Sequence, residues 1–145
     1  MKVTWTGSPN YTAGRGSKKV TGIVIHWMVG TLASTDSVFQ NRTRNTSAHY
    51  GVENDIVHQY VKEEDTAYHA GNWDVNQSSV GIEHSAAPGR APSDATYESS
   101  AQLIAAISQR WGFPVNTTTV RHHYEIVATQ CSGQGANGGV DRARL

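Results

Sequence analysis

The stretch that most restricts this fold is VTGIVIHW, Val20 to Trp27. Its β-branched apolar residues predict a buried strand. A histidine, His26, stands second from its end. An imidazole inside an apolar strand needs a partner, either a hydrogen bond in the core or a metal ion.

The rest of the chain predicts partners for that strand. Met1 to Lys19 is rich in Gly, Ser, Thr and Lys and reads as an irregular arm. Ser34 or Thr35 can cap a short helix over Thr35 to Arg44. Ala48 to Glu53 and Ile56 to Val61 read as two strands of a hairpin, with Asn54 and Asp55 in the turn. Asp65 to Trp73 reads as a loop and Val80 to His84 as a further strand. The clearest helix is Asp94 to Trp111, where Tyr97, Ala101, Ile104 and Trp111 repeat at helical spacing. Ser93 stands before it as a cap, and Gly112 then Pro114 close it. Thr117 to His122 reads as the last strand. With no linker or internal repeat in view, the expected fold class is α/β: one domain over 1–145, a central mixed sheet flanked by helices.

Bulk properties exclude several function classes. The 12 basic and 12 acidic residues cancel, which argues against nucleic-acid binding through a basic surface. No apolar run approaches the roughly 20 residues of a membrane span. The polar start, Met1 to Asn10, does not resemble a secretory signal. The single cysteine, Cys131, rules out a disulfide framework within the chain.

Three residues form a candidate metal set. His26 lies near the end of one strand, His122 and His123 at the end of another, and Cys131 eight residues after His123. Two imidazoles and one thiolate suit zinc, which takes N and S ligands in a tetrahedron and in catalytic sites leaves one position open. Zinc would lower the pKa of water toward about 7 and polarise a carbonyl. Neighbours on a strand face opposite ways, so one of His122 and His123 is expected at the metal; parity alone does not say which. The competing reading leaves His26 hydrogen-bonded in the core and Cys131 inert.

Five stretches occur in an order similar to that of a known family: IVIHW, SAHYGVENDIVHQYV, DTAYHAGNW, SVGIE and RHHYEIVATQC. Over roughly residues 5 to 135 the chain resembles the N-acetylmuramoyl-L-alanine amidases of the phage lysozyme and peptidoglycan-recognition-protein type. The resemblance implies zinc, one per chain, on His26, His123 and Cys131, with the spacing to the cysteine selecting His123. It implies Glu83 of SVGIE as the catalytic carboxylate, able to take a proton from water and pass it to the leaving nitrogen. His69, Asn72 and Trp73 are implied as substrate-binding residues, and His49 as a support behind the ligands. Two departures stand out. Relatives often carry Lys where this chain has Thr129, whose hydroxyl can donate one hydrogen bond to an oxyanion but brings no charge. Some carry a catalytic Tyr where this chain has Ala48.

The implied substrate is peptidoglycan, cut between muramic acid and L-alanine, with no nucleic-acid or membrane partner and a monomeric enzyme. The arm resembles the N-termini of phage lysis enzymes. It suggests an endolysin made in the host cytoplasm and released to the wall by another agent. The alternative is a non-catalytic peptidoglycan-binding module, which would be expected to have lost a ligand or Glu83.

Overall fold

The computed structural model describes residues 2–133 and 139–145. Its strands are β1 (Lys2–Trp5), β2 (Tyr11–Thr12), β3 (Gly22–Trp27), β4 (Tyr50–Glu53), β5 (Ile56–Gln59), β6 (Thr66–Ala67), β7 (Ser79–His84) and β8 (Val120–His122). Its α-helices are α1 (Leu32–Gln40), α2 (Trp73–Ser78) and α3 (Asp94–Trp111). Six strands form a mixed sheet in the order β1-β5-β4-β7-β3-β8, and β2 pairs with β6 in a small second sheet. The α/β expectation therefore holds. No helix among the described residues is long and apolar enough to cross a membrane.

Alternation along the strands sorts the two faces of the sheet. Ile23 and Ile25 of β3, Val80 and Ile82 of β7, and Tyr50 and Val52 of β4 form one core with Leu103, Ile104 and Ile107 of α3. Each such α3 side chain, fully buried, contributes about 1.5–3 kcal/mol. The period-2 rule then puts His26, Gly81 and Glu83 on the opposite face. There α1 packs over a second cluster of Phe39, Ala48, Tyr60, Val61 and Ala67.

The helix ends follow local chemistry. Ser93 accepts the Thr96 N–H at the start of α3, and Gly112 closes it at φ 74°, a left-handed position that suits glycine. The hairpin between β4 and β5 turns at Asn54, φ 54°. Helix α1 begins a turn earlier than expected because Thr31 is the cap, in a capping box with Ser34, and it ends at Gln40. The arm is not wholly irregular, since β1 pairs in parallel with β5. Arg15 is buried: its Nε donates to Glu63 O, and its Nη1 donates to the carbonyls of Asn76, Gln77 and Ser79. That guanidinium closes the C-terminal end of α2, whose last carbonyls otherwise lack partners.

Glu63 fastens α3 to the sheet. Its carboxylate accepts from Arg110 Nε at 3.1 Å, Trp111 Nε1 at 2.8 Å, Arg110 Nη2 and the Tyr50 hydroxyl. Burial raises its pKa, but the hydrogen bonds from Arg110, Tyr50 and Trp111 outweigh that and hold it below 4.5. A lowered carboxylate stabilises the fold above its unfolded pKa, and that contribution is lost as pH falls through the folded value. Glu63→Gln is therefore expected to cost about 2 kcal/mol in urea unfolding at neutral pH. The gap to wild type should shrink below pH 4.5; a gap that stays constant into acid would contradict this role.

Candidate metal centre

Strand register brings the site together. β3 runs parallel to both β7 and β8, with His26 opposite Glu83 and Ile25 opposite His122. His122 is the last residue of β8, and its Nδ1 lies 2.5 Å from Ser132 Oγ, away from His26. The chain then leaves the strand for a single 3-10 turn, His123–Glu125. That change swings the next imidazole over the sheet, so the rings of His26 and His123 have centroids 4.6 Å apart. Glu125 accepts the His122 N–H at 2.8 Å and pairs with Arg142, so it caps this turn and does not touch the site.

The donor atoms of His26, His123 and Cys131 all lie within 4.8 Å of one another. Cys131 Sγ is 3.6 Å from His26 Nδ1. Zinc with bonds of about 2.0 Å to N and about 2.3 Å to S would set such an edge near 3.5 Å. The hydrogen bonds leave the right nitrogens free. His123 Nε2–H donates to Ala70 O at 2.9 Å, which leaves Nδ1 as a bare lone pair. With Nδ1 of His26 turned to the sulfur, its Nε2–H donates to His69 Nδ1 at 2.9 Å.

Two buried side-chain polar atoms among the described residues have no hydrogen-bond partner: His123 Nδ1 and Glu83 Oε2. His123 belongs to this cluster, and Glu83 stands opposite His26 in the register. Buried polar groups are nearly always paired, so the two unpaired atoms mark this region as a candidate ligand site. The electrostatics agree. Burial lowers His26 well below 6.5, with His123 and His84 adding to the effect, and burial lowers His123 as well; both imidazoles are neutral and able to ligate. Burial pushes the Cys131 thiol up, with the Glu83 charge adding to it, while the backbone of Trp27 opposes the shift. Trp27 N–H donates to the sulfur at 3.3 Å. Burial pushes Glu83 up to about 8. Acids and neutral bases packed in this way favour a cation, and the donor set fits zinc.

A groove of about 400 Å³ opens beside the cluster, lined among others by Trp27, Met28, Val38, Phe39, Arg44 and Glu83. Its lip includes Val29 at φ 50°, a strained conformation for a β-branched residue.

The other expected residues are placed as follows. His69, expected in the groove, is buried behind His26. Its ring fills space that a Cβ at position 81 would occupy, 2.6 Å from His69 Cγ. Asn72 caps α2 by accepting the Val75 N–H, and Trp73 begins that helix, half exposed and 6.2 Å from the Tyr68 ring. His49 is fully buried and faces His69 at 5.9 Å. Its Nδ1 accepts the Gly81 N–H, and its Nε2–H donates to Asp65 O. Thr129 Oγ1 accepts the Cys131 N–H at 3.3 Å. Sequence reasoning missed His84, whose Nδ1–H donates to His26 O at 2.9 Å and whose Nε2 accepts from Ser100 at 2.6 Å. Its place in the alternation of β7 was the available signal. If the three donors share one ion, the only thiol in the chain should be shielded from alkylation when zinc is added and should react on chelation. Equal labelling rates in both states would contradict the cluster.

Comparisons with known proteins give a family and a set of similar folds. A family model described as N-acetylmuramoyl-L-alanine amidase matches residues 16–134. The N-acetylmuramoyl-L-alanine amidase A of Achromobacter lyticus is 32% identical over 115 residues, covering 74% of this chain and 62% of that relative. This chain thus aligns with less than two thirds of that relative's length. The fold is similar to that of a Se-Met AmpD derivative, with a TM-score of 0.80, 22% identity and coverage of 98% of this chain and 91% of the other. It is also similar to the N-acetylmuramoyl-L-alanine amidase LysC from Clostridium intestinale, with a TM-score of 0.74, 17% identity and coverage of 92% and 90%.

Proposed function

This chain belongs to the N-acetylmuramoyl-L-alanine amidase family, and from that premise we propose that it is a zinc-dependent hydrolase of peptidoglycan. It cuts the amide between the lactyl group of muramic acid and L-alanine. The observation that carries this reading is the His26, His123 and Cys131 donor set, with His123 Nδ1 unpaired and the unpaired Glu83 Oε2 on the residue opposite His26. A binding module has no need of a buried, unpartnered carboxylate next to such a donor set.

His26, His123 and Cys131 would hold the zinc, which when bound would supply a Lewis acid for acidifying water and polarising the scissile carbonyl. The remaining work falls to side chains. Glu83 stands opposite His26 in the register, at the floor of the groove, with one oxygen free to reach a water. Burial raises its proton affinity above that of a free carboxylate, the direction that a group taking a proton and returning it to the leaving nitrogen requires. Thr129 already accepts from Cys131 N–H, so its own proton is left to donate. It gives the developing oxyanion one neutral hydrogen bond, weaker than a lysine would give. Trp27, Val38 and Phe39 give the groove an apolar wall for the substrate.

The cellular role proposed is that of an endolysin, a monomer made inside a phage-infected host and acting on its wall. Its support is the similarity of the fold to solved endolysins, among them an endolysin from Bacillus subtilis.

The test is cleavage of purified wall, read as new L-alanine amino termini alongside zinc content. Wild type is expected to bind one zinc and release those termini. Glu83→Gln should keep the zinc and lose about 10²–10⁴-fold in rate. Thr129→Val should retain zinc and lose about tenfold, less than a charged donor would cost. A Glu83→Gln variant that cleaves at the wild-type rate would remove the carboxylate from the reaction. Release of new reducing ends in place of amino termini would overturn the bond assignment.

A further inference from the structure

Both ligand imidazoles are held by one short piece of chain. His69 Nδ1 accepts from His26 Nε2–H at 2.9 Å, and the next residue, Ala70, accepts from His123 Nε2–H through its carbonyl at 2.9 Å. This piece is itself pinned. Asn76 of α2 is buried, and its Oδ1 accepts the N–H of His69 at 3.3 Å and of Ala70 at 2.8 Å. The far side of the His69 ring is also tied. Ser79 Oγ lies 3.4 Å from His69 Nε2 and donates to Val75 O at 2.5 Å. With His26 Nδ1 kept for the metal, one set of tautomers satisfies every contact of this relay: His69 carries its proton on Nε2, His26 on Nε2 and His123 on Nε2, so the two ligands present Nδ1.

We propose that His69–Ala70, clamped by Asn76 and Ser79, is the positioning element that presents His26 Nδ1 and His123 Nδ1 to the metal. His69 acts through His26; in this geometry it meets no substrate. The proposal rests on the zinc reading above. Its physical basis is that partners of ligand histidines fix ring orientation and tautomer, and their loss costs about 10–100-fold in metal affinity. Gly81 is the space the device needs, because any Cβ there would sit 2.6–2.7 Å from the His69 ring.

The experiment is zinc affinity by competition with a chromophoric chelator, on the full chain, with the visible spectrum of the cobalt-loaded protein as a second readout. His69→Leu and Asn76→Leu are each expected to weaken zinc binding by about 10–100-fold and to shift the cobalt bands. His69→Asn should recover much of the loss, since its amide oxygen can stand where the imidazole carries Nδ1. Gly81→Ala should resemble His69→Leu. Ile107→Ala, in the α3 core on the opposite face of the sheet and destabilising, serves as the control and should keep both affinity and spectrum. Wild-type affinity and an unchanged cobalt spectrum in His69→Leu would overturn the positioning role and leave the hydrolase reading intact. Equal loss of affinity in Ile107→Ala would also overturn it, by showing that affinity tracks stability alone. A wild type that binds no zinc would overturn both readings.

Discussion

Everything at this site depends on one constraint: the donor atoms of His26, His123 and Cys131 meet within 4.8 Å, and two buried polar atoms of the region have no partner among the described residues. His123 Nδ1 and Glu83 Oε2 are left bare while their neighbours are fully paired. Leaving buried polar atoms unpaired costs about 1–3 kcal/mol each. A fold that accepts this cost beside a His–His–Cys donor set has the features of a preformed cation site. Ligand binding then returns stability, so the site and the fold are energetically linked.

The sheet makes the convergence accurate. Parallel pairing of β3 with β7 places His26 beside Glu83, and pairing of β3 with β8 delivers the chain to His123. A slip of one residue would turn His26 into the α3 core and an isoleucine into the groove. The α3 face guards against that slip. Its apolar residues reward only one register, and Glu63 ties the end of α3 back to the sheet through Arg110 and Trp111. His84 adds a tie from that same face, joining the carbonyl of His26 to Ser100. The candidate metal centre is thus supported from both sides of one strand.

Much of this was legible in the sequence, where local chemistry decides the outcome. The buried run into His26, the hairpin at Asn54 and the caps of α3 at Ser93 and Gly112 all follow from neighbours in the chain. The arm and α2 were not legible for a physical reason. β1 is an exposed edge strand held by β5, and α2 is a six-residue helix stabilised by Asn72, Asn76 and the distant Arg15. Neither carries a periodic apolar stripe. The choice between His122 and His123 hinged on where β8 stops, and strand ends are set by tertiary contacts. The place of His69 depended on a long-range fact as well: Gly81 leaves an empty slot only once β7 lies next to that segment.

The most direct test of the central claim is X-ray absorption at the zinc edge of the loaded protein. The account predicts one sulfur at about 2.3 Å with nitrogen or oxygen neighbours at about 2.0–2.1 Å, including two imidazoles. A first shell without sulfur, or with a single imidazole, would contradict the assignment of His26, His123 and Cys131 as the ligands.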